Sequence, residues 1–113
     1  MSSKDYRKAI LDGLLKKYNN RYAKNITTNR RIILKPIEVY KDYAKNNADI
    51  SEKQGINEAV SILNDMGFVT ADYLRFSDDI EKIYLSEEHL DALYEYLKDE
   101  YGVVPQSTIS KLV

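Results

Sequence analysis

Between Ser51 and Leu97 the chain leaves almost no residue for connections, and that economy constrains the fold more than any other feature. Ser51 with Gln54 three residues on matches a capping box. Behind it Ile56, Ala59, Val60, Leu63 and Met66 recur at helical spacing, and Gly67 is a natural terminator. A helix over 51–66 is therefore predicted. Phe68–Leu74 and Ile80–Leu85 are rich in β-branched and aromatic residues, and the Arg75-Phe76-Ser77-Asp78-Asp79 segment between them is turn-forming. Strands joined by so short a turn must be antiparallel neighbours. Ser86 then stands as an N-cap, with Glu87 and Glu88 favourably placed in a first turn. Leu90, Leu93, Tyr94, Leu97 and Tyr101 supply the apolar stripe of a last helix that Gly102 ends.

Upstream, Tyr6, Ile10, Leu11, Leu14, Leu15 and Tyr18 predict an amphipathic helix over 4–19, opened by a Ser2/Asp5 capping box. Gly13 lies inside it, at a cost of about 1 kcal/mol relative to Ala. Residues 19–29 are polar and aperiodic and predict a loop. Arg30 to Lys35, with Arg31–Leu34 at its centre, reads as a short strand, since Pro36 holds Lys35 extended. Pro36 can open a further helix reaching Lys45, which Asn46-Asn47 stops. The order helix, strand, helix, helix, strand, strand, helix, with a small antiparallel sheet, is that of an α+β, winged-helix-like domain. We expect it to occupy 1–102. Val103-Val104-Pro105 and the cap-like Ser107 predict a linker and the start of a truncated helix over 103–113.

A chain of 113 residues holds one modest core. It has no cysteine, no secretory h-region at its start and no apolar run near the ~18 residues of a membrane span, so a cytoplasmic protein without membrane contact is expected. The net charge of −1 conceals an asymmetry: residues 1–56 carry 13 Lys/Arg against 6 Asp/Glu, and residues 57–113 carry 4 against 12. Such a chain either presents a basic surface to nucleic acid or joins two oppositely charged halves. Ten tyrosines without a tryptophan suit half-buried and interface positions.

No catalytic site, cofactor or metal is expected. His89, the single histidine, stands among Glu87, Glu88 and Asp91 in a first turn, where these side chains fan around the helix instead of converging. Asp78-Asp79 suits a turn and Glu87-Glu88 a helix start, and the four glycines compose no phosphate-cradling loop. The basic residues are more informative. Arg30, Arg31 and Lys35 flank the first strand, Arg21 and Lys24 precede it, Lys53 and Asn57 lie near the start of the helix before the hairpin, and Arg75 is at the hairpin tip. Glu58, Asp65, Asp78 and Asp79 oppose phosphate, so the expectation is duplex DNA held weakly by its backbone, with little base readout. A merely solvated polar face is the alternative, as is a docking or self-association surface through Tyr22, Tyr40, Tyr43 and above all Tyr73 and Tyr96. A free-standing transcriptional regulator is a weaker third reading.

Four segments carry a family resemblance. They are Ile10-Leu11-Asp12-Gly13-Leu14-Leu15-Lys16-Lys17-Tyr18; Asn29-Arg30-Arg31-Ile32-Ile33-Leu34-Lys35-Pro36; Ile56-Asn57-Glu58-Ala59-Val60 through Met66-Gly67-Phe68-Val69; and Ile80-Glu81-Lys82-Ile83-Tyr84-Leu85 leading to Ala92-Leu93-Tyr94-Glu95-Tyr96-Leu97. Over about residues 6–97 their order resembles the N-terminal region of JetD-like proteins, the topoisomerase VI A-like nuclease subunit of the bacterial Wadjet plasmid-defence system. The resemblance implies a bacterial protein whose metal-dependent Toprim nuclease domain is missing from these residues. It further implies a non-enzymatic DNA-positioning or docking arm, with the SMC-like Wadjet complex as partner. None of the four segments is a catalytic signature.

Overall fold

The computed structural model describes residues 2–23 and 31–102; Arg30, Lys24 and the expectations for 103–113 lie outside them. The fold is α+β, with three α-helices and a three-stranded antiparallel sheet in a winged-helix-like arrangement. Helix α1 runs Ser3–Ala23, strand β1 Ile33–Leu34, helix α2 Ile50–Asp65, strand β2 Val69–Tyr73, strand β3 Ile80–Leu85 and helix α3 Leu90–Tyr101. The sheet order is β1-β3-β2, so the first strand closes on the far side of the hairpin.

Helix α1 buries the whole predicted stripe, Tyr6 to Tyr18, and the Ser2/Asp5 box forms, with Asp5 N donating to Ser2 Oγ at 3.3 Å. It continues past Asn19 to Ala23, where a loop was expected, so Arg21 lies on the helix; the rest of the expected loop lies outside the described residues. Gly13 has a purpose that periodicity hides. A Cβ there would stand 3.0 Å from Leu34 Cδ1, so the glycine lets β1 press against the helix. Ile56, Ala59, Val60 and Leu63 of α2, Val69, Ile83 and Leu85 of the hairpin, and Leu93 and Leu97 of α3 complete the core. Gly67 (φ 82°) and Gly102 (φ 65°) end α2 and α3 in the left-handed conformation expected of them.

Four local expectations are corrected. The helix predicted over 36–45 is a single 3-10 turn, Pro36–Glu38, followed by further turns. The Glu38 carboxylate accepts Lys35 N at 2.7 Å, and later contacts such as Tyr43 N to Tyr40 O span three residues, which is turn geometry in a segment rich in Asp and Asn. Asp49, not Ser51, caps α2. Its carboxylate accepts Ser51 N at 2.9 Å and also the Ser51 hydroxyl at 2.7 Å, so the presumed cap is a donor to the real one. Ser86 makes no side-chain cap; its N–H bonds Phe68 O at 3.0 Å and stays in the ladder, while Glu87–His89 forms a 3-10 turn before α3. Met66, assigned to the α2 stripe, is 44% exposed.

Candidate nucleic-acid interface

Strand alternation sorts the sheet residues between two faces. Leu34, Ile83, Leu85 and Val69 face the helices. Ile33, Tyr84 and Thr70 are neighbours on the outer face, and Asp72 pairs Lys82 beside them. A register shift between Asp72 and Tyr73 lets Ile80 turn back into the core. Arg31, ahead of β1, lies across this outer face. Its guanidinium stands 4.1 Å from the Tyr84 ring centroid, and Nη2 donates to Thr70 Oγ1 at 2.9 Å. The Tyr84 hydroxyl donates to Asp72 Oδ2 at 2.6 Å, and this bond first, with burial second, raises its pKa. Lys35 leaves the end of β1 in extended conformation (φ −92°, ψ 143°) and is exposed. Arg31 thus lies over the Tyr84 ring, Lys82 shares this face by alternation and pairs Asp72 across the strands, and Lys35 stands exposed where β1 ends. Among the described residues none of the three forms an ion pair. Lys82 was not singled out from sequence; the Lys82/Tyr84 alternation two residues apart is the signal that would have found it.

Lys53 and Asn57 are not available in the way the sequence suggested. Lys53 Nζ binds Asp79 Oδ2 at 2.9 Å and lies 5.1 Å from the Tyr43 ring centroid. The Tyr43 hydroxyl donates to Asn57 Oδ1 at 2.7 Å and accepts Ile80 N at 2.8 Å. Burial raises the Tyr43 pKa, so the phenol remains the donor. These groups bind the start of α2 to the hairpin. Arg21 is likewise engaged, with Glu87.

Arg75 is exposed at the tip, its guanidinium 5.0 Å from the Phe76 ring centroid. Phe76 is 93% exposed and holds φ at 63°, an uncommon conformation for a bulky residue. Tyr73 and Leu74 are also exposed. Beside them an apolar cleft of about 160 Å³ is lined by Pro36, Ile37, Tyr43, Ala44, Leu74 and Ile80, with Lys35, Asp79 and Glu81 at its rim. Tyr96 differs from Tyr73. Its ring packs against Phe68 (5.5 Å between centroids) and Tyr101 (6.0 Å), and burial first, then Tyr101, pushes its pKa up to about 12. Tyr40 is half-buried, its hydroxyl accepting Asp49 N at 2.8 Å, and Tyr43 is buried; the Tyr22 side chain lies outside those described.

Among the described residues no three His, Cys, Asp or Glu side chains converge on a point, and no helix is long and apolar enough to cross a membrane. The arrangement is that of a winged-helix-like domain whose outer sheet face carries cations without an ion pair among the described residues. No protein-family model, curated protein or solved structure matches the chain.

Proposed function

We propose that this domain is a non-catalytic DNA-positioning arm of a JetD-like nuclease, acting in the cytoplasm and holding duplex DNA by its backbone without strong sequence preference. The observation that supports this reading is the outer sheet face, where Arg31 lies over Tyr84 and Lys82 and the exposed Lys35 at the end of β1 add positive charge, none of the three in an ion pair among the described residues. Arg31 is held by ring and hydroxyl in a fixed orientation, so little side-chain freedom is lost on meeting a phosphate. Asn57 and Lys53, the groups best suited to reading bases from α2, are occupied within the fold, in keeping with backbone contact over base readout.

The test is anisotropy titration of a labelled duplex of about 20 base pairs at several salt concentrations. Affinity should fall with salt whatever the sequence, and each of Arg31→Glu, Lys35→Glu and Lys82→Glu should lower the slope of log affinity against log salt by about 1. Lys53→Met should leave that slope unchanged. No binding at low salt, or binding insensitive to all three reversals, would refute the reading. The exposed Tyr73, Leu74 and Phe76 favour a second one, a docking surface for protein.

A further inference from the structure

The hairpin tip projects an exposed aromatic ring, and an apolar cleft lies beside it. Phe76 projects from the turn almost fully exposed, in a left-handed conformation that is strained for a bulky side chain. The turn is fixed by Leu74 N to Asp79 O at 2.8 Å, Ser77 N to Leu74 O at 3.2 Å and Asp79 N to Ser77 Oγ at 3.0 Å, so the ring stands on a braced support. Two residues away, Leu74 lines the apolar cleft, whose volume of about 160 Å³ suits one aromatic side chain. A projection and a recess this close on one surface are what a two-fold contact requires, because each copy then offers both parts at once.

The charges match in the same sense. Asp79 is paired with Lys53, which leaves Arg75 and Asp78 flanking the ring and Lys35 and Glu81 at the recess. A knob carrying one cation and one anion faces a rim carrying one of each. The tip also combines Phe, Tyr and Arg, residue types enriched where proteins meet. Duplex DNA fits it less well, since Asp78 and Glu81 oppose phosphate beside Arg75.

We propose that two copies of this chain pair through their hairpins, Phe76 of each entering the cleft of the other between Ile37 and Leu74. Arg75 then meets the other copy's Glu81, and Asp78 meets its Lys35. This contact uses the tip and the recess and shares only Lys35 with the DNA reading, so Phe76, Arg75 and Glu81, which that reading does not use, test it separately. The patch is small, so the dimer is weak and its population follows concentration.

Sedimentation equilibrium of the 113-residue chain at concentrations up to about 1 mM, the weak end of specific association, should show mass rising toward the dimer. Phe76→Ser removes an exposed ring, so it should leave the thermal midpoint unchanged and weaken association at least tenfold. Arg75→Glu and Glu81→Arg should each weaken the dimer, and the double variant should restore it, a pairing that a general loss of solubility or fold would not reproduce. A chain that stays monomeric throughout, or an oligomer indifferent to Phe76→Ser, would overturn the proposal.

Discussion

At the scale of single residues, Glu38 shows how much one side chain organises. Its carboxylate accepts Lys35 N at 2.7 Å and pairs Lys17 Nζ of α1 at 2.9 Å. Desolvation would raise its pKa, but the Lys35 N–H and Lys17 together outweigh it and hold the carboxyl below its ordinary value. A depressed folded-state pKa contributes stability that is present above the unfolded value and lost as pH falls through the folded one. Glu38→Gln should therefore lower stability at pH 7, with the gap closing as pH drops below the ordinary carboxylate range. With the side chain 38% exposed, solvent screening limits the effect to about 0.5 kcal/mol. Urea unfolding of both proteins at neutral and acid pH measures it; a gap equal at both would reject the charge-based account. Gly67 and Gly102 were legible in the sequence because a left-handed terminus is a local demand. Gly13 was visible only as a penalty, since its reason, the approach of Leu34, lies 21 residues away.

At the scale of elements, the hairpin is bound to α2 by Tyr43. Tyr43→Phe would leave the Ile80 N–H buried without an acceptor and Asn57 Oδ1 without its donor. The expected loss is about 2 kcal/mol, read as a lower urea midpoint at unchanged m-value. A loss under about 0.5 kcal/mol would mean that the hydroxyl is dispensable. The elements themselves were legible wherever a stripe or alternation ran long enough, as in α1, α2 and β3. The 36–45 segment was misread because its apolar spacing suits a helix while Glu38 and the Asp/Asn residues bind the backbone in turns. The Lys53–Asp79 and Tyr43–Asn57 partnerships could not be read at all. Each residue has a sufficient local explanation, as a helix polar face or a turn former, and only the fold brings them together.

At the scale of the whole molecule, the charge asymmetry joins the two halves of the chain. Lys4 and Arg7 pair with Glu100, Arg21 with Glu87, and Lys53 with Asp79, so basic groups of the first half meet acidic groups of the second. The remaining cations of the outer face are what the DNA reading uses. Exposed pairs contribute little singly. Together they should make the thermal midpoint fall by about 4 °C between low salt and about 0.5 M sodium chloride, following roughly 1 kcal/mol of screened attraction. Calorimetry measures this, and a midpoint that holds or rises would show that the halves are not joined electrostatically. The sign asymmetry was legible from sequence, but its division between internal pairing and open surface was not, because it depends on which side chains lie within reach after folding.

The bond between Lys53 and Asp79 gives the hairpin the character of a braced beam. A two-stranded ribbon fixed only at its base swings freely, but this one is tied to α2 near its far end as well. A force applied at the tip is therefore carried into α2 and the core, and whatever the tip grasps is held at a set angle to the cationic face.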